Sequence, residues 1–165
     1  MKSAEYWIEN LLLEKHPEGG WFKEVYRSEE IVSMQCLTEG FSGARNISTS
    51  IFYLLEGDDF STFHRIKSDE IWHFYTGSSA IEILSIEERT IRKQLLGDNS
   101  QEYQNFQVVV PQNTWFAARL TNKNGFALAG CTVSPGFHFD DFEMGTEKLI
   151  KEYSELKKEI VGLIR

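Results

Sequence analysis

The sequence predicts an all-β fold, a sandwich or barrel of short antiparallel strands with one helix at each end. Three observations predict it. Runs rich in Val, Ile, Thr, Phe and Tyr recur at 22–27, 31–35, 46–55, 62–66, 70–76, 80–86, 89–95, 106–110, 114–120 and 126–133. Gly, Asp, Asn and Ser turns separate them. Helical spacing of apolar residues is confined to the two ends, so no crossover helices interrupt the strands as a parallel sheet would require.

In chain order, Ala4, Trp7, Ile8, Leu11 and Leu12 form a helical stripe within 3–14, with Ser3 as N-cap and a stop before Pro17. His16-Pro-Glu-Gly-Gly20 reads as a tight turn, because proline ends the helix and glycines permit positive φ; a lid over a cavity is the competing reading. In the run that follows, strict alternation puts Glu24 and Tyr26 on one face, and Lys23, Val25 and Arg27 on the other. Gly57-Asp-Asp59 joins strands as a turn. At the far end Thr146 caps a helix whose stripe is Leu149, Tyr153, Leu156, Ile160 and Leu163.

Composition bounds the function. With 165 residues, 41% of them hydrophobic, the chain has enough apolar material for one core, so a single domain over 1–165 is expected. A net charge of -8 repels phosphate backbones and anionic membranes, which argues against nucleic-acid or membrane partners. No apolar stretch is long enough to span a bilayer, and the N-terminus lacks the apolar core of a signal peptide, so a cytoplasmic protein is expected. Cys36 and Cys131 lie far apart in apolar-leaning runs and read as reduced, buried thiols.

The richest stretch is His64-Arg-Ile-Lys-Ser-Asp-Glu70 and the residues to Gly77. Together with Gly57 it has the frame of a cupin metal motif, in which a glycine precedes His-x-His, a glutamate follows and a glycine closes. Ile66 stands at the second histidine position and has no lone pair to give. The second motif, Pro-x-Gly-x-x-His, falls on Pro111, with Asn113 in place of glycine and Phe116 in place of histidine; slipped by one place, Trp115 takes that position. Two ligands of four are left, His64 and Glu70, whereas catalytic metal sites use about three protein ligands. No cofactor is therefore predicted, and His64 and Glu70 are the candidate ligands of any divalent metal.

Longer strings carry a family resemblance. His16 to Arg27, Ile47 to Leu55, Ser61 to Gly77, Gln107 to Pro111 with Trp115, and Thr132 to Phe137 through Asp141-Phe-Glu143 make the chain resemble the cupin-like family DUF985, also called cupin 5. The resemblance implies a cupin double-stranded β-helix, the jelly-roll barrel, with flanking N- and C-terminal helices. It also implies homodimers and a role in binding or converting small molecules. The isoleucine at the second histidine position is a trait of that family. His138-Phe139 departs from its pattern, where acidic and aromatic residues are usual.

On this scaffold, a hairpin of 62–66 and 70–76 would turn His64, Ile66, Glu70, Trp72 and Phe74 into the barrel. His64 and Glu70 are then the catalytic candidates, an imidazole oriented by a carboxylate with Tyr26 or Tyr53 nearby as acid. Glu24, Tyr26, Arg45, Ser48, Ser50, Trp72, His73, Phe74 and Phe116 are the ligand-lining candidates. His73 faces outward by alternation, and a β-bulge would bring it in. Three functions stay open. The leading one binds a small polar ligand of sugar or nucleotide type, with metal-independent epimerase- or isomerase-like chemistry. The second is a metal-dependent enzyme using His64, Glu70 and His73. The third is a binding or storage module without turnover. Serine hydrolysis is disfavoured, because neither Ser48 nor Ser50 has a nucleophile context.

Overall fold

The computed structural model describes residues 2–165. Helix α1 (Ala4–Leu11) is capped as its sequence dictates: the Ser3 hydroxyl accepts a hydrogen bond from the Tyr6 N–H at 3.2 Å. It ends earlier than Pro17 requires, because Leu12 adopts the left-handed conformation (φ 55°) and returns its N–H to Glu9.

Fourteen strands follow among the described residues: β1 (Glu14–Lys15), β2 (Trp21–Arg27), β3 (Ile31–Val32), β4 (Arg45–Asn46), β5 (Thr49–Glu56), β6 (Phe60–Arg65), β7 (Asp69–Gly77), β8 (Ile81–Glu87), β9 (Thr90–Leu96), β10 (Gln104–Asn105), β11 (Gln107–Val110), β12 (Phe116–Leu120), β13 (Phe126–Ser134) and β14 (Glu143–Met144). Every expected run contains a strand; the excess is four two-residue pairings. One six-stranded sheet runs β1-β2-β5-β13-β7-β11 and the other β10-β9-β8-β12-β6-β14, with β3-β4 as a separate ribbon. All pairings are antiparallel except β9 with β10. The all-β jelly roll with terminal helices is thus the fold observed.

The hairpin expected from 62–66 and 70–76 does not form. β6 pairs with β12 and β14 in one sheet, whereas β7 pairs with β13 and β11 in the other. Residues 66–68 cross between sheets, so His64 and Glu70 approach the interior from opposite walls.

The space between the sheets is filled unevenly. Tyr53, Leu55, Trp72, Ile81, Ile83, Leu96, Val108, Phe116 and Leu120 pack as one core cluster. The end where β5 and β7 begin and β6 and β13 finish is left to a cavity. Helix α1 covers the outside of the first sheet through Trp7, Ile8 and Leu11 over Leu54 and Leu128.

The C-terminal helix is broken in two, although neither Gly nor Pro marks the break. Tyr153 leaves the helical region (φ -118°, ψ 56°) between α2 (Glu147–Glu152) and a 3-10 turn over Ser154–Leu156 that leads into α3 (Lys157–Val161). Thr146 caps α2 as expected. Leu149, Ile160 and Leu163 still share one cluster with Phe63, Leu84, Trp115 and Ala117 on the second sheet. The stripe is right and the helix is segmented.

Cys131 is buried, but Cys36 is exposed on a 3-10 turn rather than buried in a strand. No helix is long and apolar enough to cross a membrane.

Candidate functional site

A cavity of about 240 Å³ opens at the unfilled end of the barrel. Its polar depth is built from three places in the chain. The first is the His16–Gly20 turn, which is both a turn and a wall. Gly19 and Gly20 have φ of 110° and 73°, which side chains with a Cβ rarely adopt. A Cβ on Gly19 would collide with the Phe60 carbonyl oxygen, and one on Gly20 would stand 2.8 Å from the Tyr53 hydroxyl. The Tyr53 hydroxyl donates to the Gly19 carbonyl at 2.7 Å, and the Gly20 N–H donates to Asp59 Oδ2 at 3.0 Å. So fixed, the turn points His16 and Glu18 into the cavity.

The second place is β6. Against β12 its register shifts, with Phe116 opposite His64 but Ala118 opposite Ser61, so three steps of β6 match two of β12. This bulge turns Ser61 and His64 to the same side. The bulged backbone donors are taken up elsewhere: Thr62 N–H donates to the Glu18 carbonyl at 2.9 Å and Phe63 N–H to the Leu163 carbonyl at 2.8 Å. The third place is the pair of strands β7 and β13, which bring Glu70 and Cys131 to the opposite wall.

The corrected partnership follows from these walls. His64 Nε2 lies 3.3 Å from Glu18 Oε2, and Glu18 Oε1 accepts from the Ser61 hydroxyl at 3.0 Å. Glu70, expected to orient His64, instead has the Cys131 thiol as its neighbour and none of the ion pairs among the described residues. His16 Nδ1 sits 3.6 Å from Glu18 Oε2 on the other flank. Sequence reasoning missed Glu18 and His16 by treating their string as turn chemistry; two adjacent glycines after an acid and an imidazole were the available signal.

Burial sets the proton inventory. His64 Nδ1 is 2.8 Å from the Thr62 carbonyl, which only an N–H can satisfy, so Nε2 carries the lone pair in the neutral ring. Desolvation pushes the His64 pKa down to about 4 against that favourable contact. Glu18 is raised by burial, although His16 and the Ser61 hydroxyl oppose the shift. The two directions agree: burial favours the uncharged imidazole and disfavours the carboxylate on either side of this contact. Glu70 is pushed up to about 8 by burial first and by the Glu18 charge second. His16 is lowered by burial, with Glu18 acting against it.

The mouth is aromatic. Phe22 meets His16 edge-on at 4.6 Å, and Phe142 stacks obliquely on His64 at 5.4 Å. Phe137, Phe139 and Phe142 contact one another at 5.0 to 6.2 Å. Glu24 is on the lining as expected, and Arg27, expected on the far face, is there too. A bulge between Glu24 and Tyr26 breaks the alternation, turning Arg27 in and leaving Tyr26 55% exposed outside. Glu24 and Arg27 bind each other at 2.7 and 3.0 Å.

Several other candidates have structural work instead. Arg45 is buried and forks onto Asp141 at 2.5 and 2.8 Å, tying the β3–β4 ribbon to the 3-10 turn at Phe139–Asp141. Ser48 donates to the Val133 carbonyl, and Ser50 faces Thr132 at 3.5 Å; Thr49 and Ile51, one residue along, line the cavity. Trp72 and Phe74 do point inward, but into the packed core, where Trp72 meets Tyr53 at 5.3 Å. Phe116 lies under His64, ring to ring at 4.2 Å, in the register counted for the lost histidine. Trp115 faces the C-terminal helices. His73 stays outside between Gln107 and Thr132, because the bulge in β7, at Tyr75, falls after it. Asn113 takes φ 60°, the conformation that makes it a substitute for the motif glycine.

These donors do not fit a metal. Ile66 lines the wall where a second imidazole would project, His64 Nε2 is engaged with Glu18, and among the described residues no three His, Cys, Asp or Glu side chains converge on one point.

Comparison with known proteins adds the relatives. Residues 5–145 match the family described as Cupin superfamily (DUF985). The chain is 31% identical over 159 residues to the uncharacterized protein YML079W of Saccharomyces cerevisiae, covering 89% of this chain and 78% of that one. A hypothetical protein from Leishmania major superposes with a TM-score of 0.88 at 28% identity, over 99% of both chains. Protein SO0799 from Shewanella oneidensis superposes with a TM-score of 0.87 at 34% identity, over 100% of this chain and 99% of its own.

Proposed function

Because the chain belongs to the DUF985 family of the cupin superfamily, we propose that its barrel cavity binds a small molecule and that the Glu18–His64 pair moves a proton on it. The observation that carries this reading is the buried contact at 3.3 Å between His64 Nε2 and Glu18 Oε2 on the wall of the cavity. The neutral imidazole can take a proton from Glu18 at Nε2, which leaves the carboxylate as the base toward the ligand, and the reverse step returns the proton. Thr62 fixes the ring's tautomer and Ser61 fixes the carboxyl, so neither needs to reorganise during transfer. Glu70, a catalytic candidate from the sequence, supplies in this reading a second carboxyl, protonated at neutral pH, on the facing wall.

The chemistry supported is isomerase- or epimerase-like proton exchange at a carbon of a small-molecule ligand. Tyr53 has no part in it: its hydroxyl is spent on Gly19, and burial raises its pKa well above the ordinary value. The test is native mass spectrometry to identify a compound retained through purification, followed by NMR of that compound with the protein in D2O. The expected result is carbon-bound deuterium incorporation by the natural protein, lowered at least roughly a hundredfold in H64A and E18Q, the range of one general base. Retention without exchange identifies a binding module instead.

A further inference from the structure

The cavity has an uneven charge balance. Glu18 and Glu70 are 6% and 7% exposed, on facing walls, and only His16 and His64 stand near them as bases, both held toward the neutral form by burial. Among the described residues the one Arg or Lys on the lining is Arg27, at the rim and already forked onto Glu24. The one buried Arg or Lys among the described residues, Arg45, is committed to Asp141. Glu70 is the odd group: nine-tenths buried, pointing into the cavity, with a thiol for company and no ion-pair partner. An isolated buried carboxyl is costly, and a cavity that keeps one is short of a positive charge or a hydrogen-bond donor.

We propose that the inner end of the cavity is built for a small organic cation, a protonated amine on an apolar or aromatic body, seated against Glu70 and Glu18 with Phe22, Phe137 and Phe142 around it. This rests on the reading of the cavity as the ligand site and narrows its ligand class. Glu70 supplies the countercharge, and aromatic rings at the mouth accept both an apolar body and a cation. An anionic inner end meets two acids and no free cation. A nucleotide's phosphate therefore has no place at depth.

Binding carries a proton consequence. The titratable groups facing Glu70 are Glu18 and His16 from the turn, His64 from β6 and Cys131 from β13, with Glu24, Arg27 and His138 at the rim. With its carboxyl held up to about 8, Glu70 is mostly protonated at neutral pH. An arriving ammonium favours the carboxylate, so Glu70 gives its proton to solvent.

The test uses three probes of one shape: benzylamine, benzyl alcohol and benzoate, titrated calorimetrically into the full-length protein in buffers of different ionisation enthalpy. Benzylamine is expected to bind roughly tenfold or more tighter than benzyl alcohol and to release a proton near pH 7, with benzoate weakest. In E70Q, benzyl alcohol binding survives, showing that the cavity is intact, while the preference for the amine shrinks roughly tenfold and proton release disappears. Benzoate binding as tightly as benzylamine, or an E70Q protein that keeps the amine preference and proton release, overturns the cation proposal and leaves the cavity a ligand site. Failure of all three to bind at millimolar concentration overturns both.

Discussion

At the residue scale, the site depends on positions whose roles come from neighbours distant in sequence. Gly19 illustrates the point. Its φ of 110° and the Phe60 carbonyl beside it leave no room for a methyl group, and moving it would swing Glu18 away from His64. G19A is therefore expected to destabilise the protein by about 1–3 kcal/mol from backbone strain alone, measured by urea unfolding. It should also lower the proton exchange that the Glu18–His64 pair supports. Equal stability of G19A and the natural protein would mean that the turn relaxes freely. Glu18 and Glu70 show how like residues diverge: one meets an imidazole and a serine hydroxyl, whereas the other has a thiol beside it and is pushed up to about 8.

At the element scale, irregularity does the positioning. The bulge in β6 turns Ser61 and His64 to one side, and the one in β2 turns Arg27 inward and Tyr26 outward. The donors freed by the β6 bulge are satisfied by Glu18 and Leu163 backbone carbonyls, so the turn and the C-terminal tail both brace the strand that holds His64. A second brace is the Arg45–Asp141 fork, to which Lys67 adds a contact at 3.4 Å. It anchors the segment carrying Phe139 and Phe142 at the cavity mouth. Removing one buried charge strands the other, so R45A should lose about 3–5 kcal/mol. The double variant R45M/D141L should recover most of that loss in denaturant titrations. If the single and double variants lose the same amount, the fork is not what holds this segment.

At the scale of the whole molecule, stability should depend on pH in two opposing ways. The fold raises Glu70 from 4.5 to about 8, so its contribution is complete below 4.5 and is lost as pH rises toward 8. Burial lowers His64 from 6.5 to about 4, so its contribution is complete above 6.5 and is lost as pH falls toward 4. The natural protein is thus expected to weaken on both sides of a mildly acidic optimum, with slopes of up to about 1.4 kcal/mol per pH unit from each group. E70Q should flatten the alkaline limb and extend the acid limb up to about 6.5, because the Glu70 slope no longer offsets that of His64 between 4.5 and 6.5, as read from unfolding midpoints across that range. An unchanged alkaline limb would mean that Glu70 titrates as an ordinary carboxyl. The strand runs, both terminal apolar stripes, the Ser3 and Thr146 caps and the lost ligands at Ile66 and Phe116 were all legible in the sequence, because alternation, helical spacing and residue chemistry are local properties. The sequence also determined that His64 and Glu70 would be buried in a jelly roll. Only the tertiary structure decided that they come from different sheets, that Glu18 rather than Glu70 meets the imidazole, and that Arg45 serves the scaffold. Bulges, sheet crossings and turn placement depend on which strands pair across the whole barrel, and no periodicity along the chain records that choice.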